Sequence, residues 1–370
     1  MQSLIALDLA PGQKFVDELS RAWDAGDAIL PIDQRLPDEA KRRLIEQFKP
    51  THIITNDDQH ELPGGINVEP GDALVIATSG STGVPKGVIL THDSVLASAQ
   101  ASSHALDVQF DDHWYSCLPL AHIGGLSVVT RSLLMGTQLT VAPKFDAEEI
   151  RKASHHCTLV SLVPTALLRI DPRIFRAILL GGSKPPTNRP RNVIATYGMT
   201  ETGSGVVYEG RPLSGVEIKI DDDEILVRSP MNMRCYRDGS SSIDNDGWLH
   251  TGDIGSFDNN GLLHVQGRRG DVIVTGSEKV WPDSVENALN SMFEIGQYAV
   301  IGLSDPEWGE RVVLVTTQLD CSLENVRDLI LQTLPNYCVP KEIYVVDSIP
   351  QTALGKVRRS EIRALLSADN

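Results

Sequence analysis

A run of glycines and hydroxyl-bearing residues is the first stretch of the chain that could bind a phosphate. It comprises Thr78, Ser79, Gly80, Ser81, Thr82 and Gly83, with Lys86 three residues further on. Glycines let the backbone approach an anion closely, and loop N–H groups and hydroxyls can surround its oxygens. Lys86 adds a positive charge, and Gly87 stands where a Walker loop carries Ser or Thr. The spacing predicts a phosphate-binding loop that is not of the Walker type.

A second polar stretch follows a predicted strand and combines an aromatic ring, a hydroxyl and a carboxylate. Tyr197 offers a ring on which adenine can stack, and Thr200 offers a hydroxyl for a phosphate. Glu201 offers the hard oxygen ligand that Mg²⁺ prefers. Gly198 separates the ring from the polar groups. A strand that ends in a polar turn is the simpler interpretation, but the combination favours a nucleotide site.

Two further polar segments lie in the second half of the chain. Residues 248–253 end in Thr-Gly-Asp and are followed by Gly267 and Arg268, and residues 350–359 carry Lys356 beside a glycine. Taken alone, the first pattern is typical of a turn and the second of a solvated basic tail. An aspartate carboxylate can also accept hydrogen bonds from both hydroxyls of a ribose. Neither segment indicates a function by itself, so each has to be interpreted together with the other polar segments.

The four segments together resemble the signature motifs of the adenylate-forming superfamily. This superfamily holds acyl-CoA synthetases, peptide-synthetase adenylation domains and luciferases. The resemblance implies that Asp253 binds the ribose, that Arg268 reaches the nucleotide, and that Gly182 and Ser183 flank adenine. It also implies that Lys356 is the catalytic lysine. Lys86, Thr200 and Glu201 complete the expected catalytic set, with Glu201 as the Mg²⁺ ligand.

A fifth segment of this resemblance concerns the acid to be activated. Residues 118–125 match the superfamily pattern Leu-Pro-x-x-His-x-x-Gly, in which the histidine borders the acyl pocket. His122 and Gly124 are therefore expected in this pocket, although a single histidine is more often structural. Thr202 and Ser204 are further candidate polar contacts to the acid. Residues 275–280 depart from the commoner superfamily sequence, which leaves the CoA contacts there open.

The resemblance implies two half-reactions that use ATP, Mg²⁺ and CoA. A carboxylate attacks the α-phosphorus of ATP to give an acyl-adenylate and pyrophosphate, and the CoA thiol then displaces AMP. Because two anions must meet in the first step, its barrier is electrostatic and positional. We expect Lys356 to serve only this first step, with the carboxy-terminal domain rotating about Gly270 between the two steps.

The elements around these motifs predict a two-domain α/β architecture. Strands alternate with helices of apolar period over the first 220 residues or so, which favours a largely parallel sheet. From Asp221 the pattern changes to short antiparallel strands and predicts an additional β subdomain. We therefore predict a large amino-terminal α/β domain over 1–269 and a small, mobile α+β domain over 270–370.

Composition excludes several classes of function. The chain has 370 residues, 49 acidic against 33 basic side chains, and a formal net charge of −16. This charge disfavours nucleic acid and anionic membranes as partners. No apolar run or leader predicts a membrane span or secretion, and the five cysteines form no CxxC pair. We expect a cytoplasmic protein with reduced thiols and no zinc site, and a homodimer stays open.

The identity of the acid leaves three hypotheses. The chain is compact, with 77 residues before the phosphate loop, and we expect a shortened amino-terminal subdomain. This build resembles the o-succinylbenzoate–CoA ligases of menaquinone synthesis, which implies an aryl keto-acid with two carboxylates. The alternatives are a CoA ligase for another aryl or short-chain acid and a nucleotide-binding module without turnover. The joint presence of Lys356, Glu201, Asp253 and Arg268 disfavours the module, and no carrier segment supports a peptide-synthetase role.

Overall fold

The computed structural model of the protein describes residues 2–78, 85–183, 185–186, 188–294, 296–319, 322–352 and 357–368. Two groups of predicted site residues lie outside the described residues. They are the phosphate-loop residues Ser79, Gly80, Ser81, Thr82 and Gly83, and the lysine Lys356. The site is therefore built below from the residues that flank them.

The first part of the chain forms a sheet that presents the phosphate loop. Its elements are β1 (Leu4–Leu7), α1 (Gln13–Asp24), β2 (Ala28–Pro31), α2 (Asp38–Phe48), β3 (His52–Ile54), β4 (Gln59–Glu61), β5 (Asp72–Thr78), β6 (Lys86–Thr91) and α3 (His92–Ala105). Strands β1, β2, β3 and β5 run parallel, whereas β6 runs antiparallel to β5. Thr91 caps α3 by accepting a hydrogen bond from the N–H of Ser94, as its sequence predicts.

The second part forms a second sheet with a parallel centre. Its elements are β7 (His113–Ser116), α4 (Ile123–Met135), β8 (Gln138–Val141), α5 (Ala147–Ala153), β9 (Leu159–Leu162), α6 (Pro164–Leu167), β10 (Ala177–Leu180), β11 (Val193–Met199), β12 (Ser204–Tyr208) and β13 (Arg211–Pro212). The strand order is β13-β12-β11-β10-β9-β7-β8, and the five strands from β11 to β8 are parallel. Their carboxyl ends therefore meet at one edge, where open α/β sheets bind ligands.

A smaller antiparallel sheet follows and confirms the predicted β subdomain. The next strands are β14 (Glu217–Asp221), β15 (Glu224–Arg228), β16 (Cys235–Tyr236), β17 (Leu249–Phe257) and β18 (Leu263–Arg268). Four of them form the sheet β14-β15-β17-β18. Strand β16 instead pairs with β6 at the edge of the first sheet. The chain thus returns to the hairpin formed by β5 and β6 before it enters β17.

The carboxy-terminal part has the predicted α+β composition. Its elements are β19 (Ile273–Thr275), β20 (Glu278–Val280), α7 (Pro282–Ala288), β21 (Tyr298–Asp305), β22 (Gly309–Thr316), α8 (Leu323–Ile330), β23 (Glu342–Val345) and α9 (Arg359–Ala368). Helix α7 ends at Ala288. The hydroxyl of Tyr298 lies 2.8 Å from the carbonyl of Glu286, and the N–H of Asn290 bonds Asn287 instead. A side chain thus occupies the acceptor that would continue the helix.

Buried apolar residues fasten the two large sheets to each other. Leu74 and Leu90 of the first sheet, and Leu126 and Val129 of α4, are fully buried in one continuous core. Truncating one such leucine to alanine costs about 2–5 kcal/mol of the free energy of unfolding. The sheet edge that carries the motifs is therefore held by a well-packed apolar core.

The predicted hinge is a short 3-10 turn over Arg269–Asp271. Arg269 donates to the carboxylate of Asp222 over 3.1 Å, so the turn is tied to the β14–β15 loop. A Cβ added at Gly270 would meet nothing within 4 Å. The boundary between 269 and 270 remains a prediction. Among the described helices, none combines the length and apolar character needed to cross a membrane.

Candidate active site

The β5–β6 hairpin holds the predicted phosphate loop at its tip. Thr78 and Lys86 stand opposite each other in register, and the hydroxyl of Thr78 donates to the carbonyl of Lys86 over 3.2 Å. The Lys86 ammonium lies 4.4 Å from the centroid of the Tyr236 ring, within the range of a cation–π contact. The hydroxyl of Tyr236 in turn donates to Oε1 of Glu201 over 3.1 Å. One tyrosine therefore brings the loop lysine and the predicted metal ligand together.

The second motif turns sharply where β11 ends. Gly198 pairs with Gly205 at a bulge, and a Cβ at Gly198 would lie only 2.1 Å from the carbonyl oxygen of Ser204. No other residue fits there without moving the neighbouring strand. Thr200 and Glu201 follow in a half-buried 3-10 turn beside the hairpin. The glycine thus allows the sharp turn that places the Glu201 carboxylate beside Tyr236.

Asp253 is the hub of the predicted ribose site. It pairs with Arg268 across β17 and β18, with Nε and Oδ1 2.9 Å apart. The hydroxyl of Tyr197 donates to Oδ2 of Asp253 over 3.0 Å. Burial, reinforced by the Asp253 carboxylate, raises the pKa of Tyr197 well above its ordinary value, so its hydroxyl stays a donor. The structure brings the three predicted nucleotide residues into one cluster.

Gly182 and Ser183 lie exposed on the turn after β10. The φ of Gly182 is +85°, a left-handed conformation that favours glycine. A Cβ at Gly182 would lie 3.2 Å from Cγ1 of Val163, which lines the main cavity. The predicted adenine contact is therefore adjacent to that cavity.

The cavity has a volume of about 440 Å³ and opens at the carboxyl ends of β2, β7 and β9. Its walls are largely apolar, with Phe15, Leu118 and Val163 among them. Charged side chains also line it, namely Asp33, Arg35, Lys144 and Arg169. Gln351 and Thr352, which directly precede the undescribed residues 353–356, line it as well. The first described residues of the motif that contains the predicted catalytic lysine are therefore part of the cavity wall.

His122 lies next to the cavity at the start of α4. Its Nε2 is 3.4 Å from Oδ2 of Asp33, an ion-pair contact that is not aligned as a hydrogen bond. Arg35 holds the same carboxylate at 2.6 and 2.8 Å. Burial opposes ionisation of Asp33, but His122 and Arg35 hold the pKa of its carboxyl well below the ordinary value. Gly124 sits on the first turn of α4, where a Cβ would touch only Leu118.

Thr202 and Ser204 do not fit the role of acyl contacts. Thr202 is 1% exposed, and its hydroxyl bonds the backbone of Met199 and the carbonyl of Ser204. The hydroxyl of Ser204 is 2.6 Å from that of Ser98 on α3. Both side chains fasten the motif to the protein interior. Among the described residues that line the cavity, neither appears.

Several residues of this site escaped the sequence analysis. Tyr236 lies on a two-residue strand outside every recognised motif, and only its pairing with β6 brings it to Lys86. Asp33 and Arg35 follow β2, in a loop whose sequence has no distinctive pattern. Their position after a parallel strand was the one available signal.

Comparison with known families agrees with this geometry. A model of the AMP-binding enzyme family matches residues 66–237, and a model of the AMP-binding enzyme C-terminal domain matches residues 284–356. The chain belongs to the AMP-binding enzyme family, which confirms the resemblance to adenylate-forming enzymes. It is an AMP-forming acyl-CoA ligase.

The similar relatives narrow this class. The chain is 33% identical to a 2-succinylbenzoate–CoA ligase of Bacillus anthracis, over 79% of this chain and 70% of the relative. It superimposes on the o-succinylbenzoate CoA synthetase of Bacillus subtilis in complex with the acyl-adenylate OSB-AMP, with a TM-score of 0.86 and 28% identity. That match covers 98% of this chain and 88% of the other. ATP-bound MatB of Rhodopseudomonas palustris shares the fold, with a TM-score of 0.85 at 22% identity over 99% and 89% of the two chains.

Proposed function

We propose that the protein joins 2-succinylbenzoate to CoA at the expense of ATP, through an acyl-adenylate. The names of its relatives support this acid, and the resemblance links the reaction to menaquinone synthesis. One observation carries the proposal in the structure itself. Tyr236 contacts both Lys86 and Glu201, Asp253 pairs with Arg268, and Gln351 and Thr352, which precede the lysine motif's end, line the cavity that suits the acid.

In the first half-reaction, the acid's carboxylate oxygen bonds to the α-phosphorus of ATP and pyrophosphate leaves. Lys86 and the loop amides would bind the leaving phosphates, and the Asp253 carboxylate would accept hydrogen bonds from the ribose hydroxyls. Glu201 would hold Mg²⁺, which neutralises charge on the phosphates. A hydrogen-bonded carboxylate of fixed orientation suits that ion. The solved Bacillus subtilis enzyme has a complex with ATP and a magnesium ion.

The cavity suits an acid that carries one aromatic ring and two carboxylates. Its apolar walls can take an aryl ring, while Lys144 and Arg169 supply positive charge. The Arg169 guanidinium stacks 4.9 Å from the Phe145 ring centroid, which fixes one such charge beside an aromatic wall. We propose that these two cations bind the carboxylate that is not activated. His122 and Gly124 would border the activated end.

The position of Gln351 and Thr352 suggests how Lys356 takes part. Both line the cavity, and Lys356 follows within four residues of Thr352. We propose that Lys356 bridges the incoming carboxylate and the α-phosphate, and that the domain over 270–370 then rotates about the Arg269–Asp271 turn. Lys356→Ala should abolish adenylate formation and spare thioester formation from supplied acyl-adenylate. Equal loss in both assays contradicts this division of labour.

Pyrophosphate release over a panel of acids tests the whole proposal. With ATP and Mg²⁺, 2-succinylbenzoate should give the highest kcat/KM, and CoA should convert the adenylate to thioester. A higher kcat/KM with benzoate or a short-chain acid would assign another substrate to the same chemistry. Nucleotide binding without turnover of any acid would instead make the chain a binding module.

Three finer points concern the location of the protein, its partners and its oligomeric state. ATP and CoA as substrates, together with the four described cysteines that are all free, favour the cytoplasm. Subcellular fractionation tests this. The net charge of −16 disfavours nucleic acid as a partner. Sedimentation velocity decides between a monomer and the homodimer that the sequence left open.

A further inference from the structure

A cluster of two imidazoles and one thiol lies at the opposite end of the second sheet from the proposed active site. His113 begins β7, and His156 and Cys157 stand just before β9. Their candidate donor atoms all lie within 4.8 Å of one another. Since Cys117 follows the other end of β7, the cluster is roughly 13 Å along the strand from the cavity. The proposed reaction makes no use of these residues.

We propose that His113, His156 and Cys157 bind a Zn²⁺ ion, or another divalent ion that accepts nitrogen and sulfur ligands. Imidazole and thiolate are the ligands that zinc and cobalt prefer over magnesium or calcium. Tetrahedral bonds of 2.0–2.3 Å would place these donors about 3.3–3.6 Å apart. The cluster therefore has to close by roughly 1 Å. His156 is exposed and can make this movement by rotating its side chain.

The backbone around the cluster is already fixed. The N–H of Thr158 donates to the carbonyl of His113 over 2.9 Å, and the N–H of His113 donates to the Thr158 hydroxyl over 3.0 Å. The N–H groups of His156 and Cys157 both donate to the carbonyl of Ala153 at the end of α5. The ligands are thus held by a strand and a helix terminus, so binding requires little ordering of the chain.

One hydroxyl ties two of the three ligands together. Oγ1 of Thr140 lies 2.9 Å from Nε2 of His113 and also hydrogen bonds the thiol of Cys157. Such an outer partner orients ligands, as at known metal sites. Metal binding would release the thiol proton of Cys157 to solvent.

The three ligands would leave a fourth position open toward solvent beside the exposed His156. A bound ion would cross-link β7 to the α5–β9 connection, and a water would fill its fourth position. The absence of a CxxC pair predicted no zinc site, because that pattern concerns cysteine pairs alone. The proposed ligands are mostly histidines, and the fold brings them together from distant parts of the chain.

Titration of the metal-free, full-length protein with Co²⁺ tests this inference. We expect one equivalent to bind, with a thiolate-to-cobalt charge-transfer band in the near ultraviolet and the visible bands of a four-coordinate ion. Zn²⁺ should displace the cobalt. Cys157→Ser should abolish the charge-transfer band. Thr140→Val should weaken binding about 10- to 100-fold, and His156→Gln should weaken it further.

Two matched variants control for general effects. His155→Gln alters the neighbouring exposed histidine, and Cys235→Ser removes another partly buried thiol outside the cluster. Both should bind cobalt as the unaltered protein does. Because His156 is exposed, His156→Gln should keep its thermal stability without metal and lose only the rise that Zn²⁺ produces. No bound cobalt, or binding that Cys157→Ser and His156→Gln leave unchanged, would overturn the proposal.

Discussion

Replacing Tyr236 by Phe removes one hydroxyl from the centre of the proposed site and leaves the aromatic ring. The hydroxyl donates to Oε1 of Glu201 over 3.1 Å and lies 3.2 Å from the Ser242 hydroxyl. The ring that keeps Lys86 at 4.4 Å is retained in the variant. The change therefore tests whether the orientation of the Glu201 carboxylate matters for adenylation.

The size of the effect follows from this geometry. A hydrogen bond to a charged group contributes about 1.5–3 kcal/mol. At about 1.36 kcal/mol for each factor of ten, the kcat/KM of adenylation should fall roughly 10- to 150-fold. Tyr236→Leu also removes the cation–π contact with Lys86, about 0.5–1 kcal/mol more, which is a further factor of roughly 2–5.

Pyrophosphate release measured over a range of Mg²⁺ concentrations provides the assay. Tyr236→Phe should need more Mg²⁺ for half-maximal rate, because Glu201 is the proposed ligand. Tyr208→Phe is the control, since its hydroxyl bonds Ser102 at 2.6 Å in the interior. It should lower stability without changing the Mg²⁺ dependence. A Tyr236→Phe variant with the rate and Mg²⁺ dependence of the original protein would refute the reasoning.

Three further substitutions or measurements follow from the same contacts. Gly198→Ala forces a Cβ to within 2.1 Å of the carbonyl oxygen of Ser204. We therefore expect a lower Tm, a loss of about 1–3 kcal/mol or more in the free energy of unfolding, and little activity. An unchanged Tm would contradict this. Burial raises the pKa of Cys117 to about 12, so only about one thiol in 10⁴ is ionised at pH 8. The rate of its alkylation by iodoacetamide, followed by mass spectrometry, should rise tenfold per pH unit. This rate should stay far below that of a small thiol in solution, and equal rates would argue against burial. Asp33→Asn should raise KM for the acid about tenfold or less, because its contact with His122 is poorly aligned, and leave KM for ATP unchanged. A larger change in KM for ATP would place Asp33 elsewhere in the mechanism.

Much of the fold could be predicted because local pattern and tertiary packing agree. The strand that becomes β5, the Thr91 cap and the turn to antiparallel strands after Asp221 all carry local signals that the structure confirms. The predicted parallel sheet is in fact two sheets: the first has antiparallel strands at both edges, and the second has them at one edge only. Periodicity marks a buried strand, but the identity of its partner depends on contacts distant in sequence.

The residues of the proposed site also differ in how well the sequence predicts their roles. Lys86, Glu201, Asp253 and Arg268 belong to compact motifs, and the structure gathers them into two clusters, one around Tyr236 and one around Asp253. Thr202 was misassigned because a hydroxyl next to a motif looks the same in sequence whether it faces a pocket or the backbone.

Residues that reach the site only through strand pairing or sheet packing belong to no recognisable sequence motif. Tyr236 reaches Lys86 only because β16 pairs with β6. Asp33 meets His122 only because the two large sheets pack against each other. Such contacts depend on the assembled fold, and no spacing within the chain encodes them.

Isotope exchange between pyrophosphate and ATP tests the central claim most directly. The reaction runs adenylate formation backwards and forwards without the second step. We predict exchange that requires 2-succinylbenzoate and Mg²⁺, proceeds without CoA, and disappears in Lys356→Ala. Exchange that needs CoA, or none with any acid offered, would contradict an acyl-adenylate formed at this site.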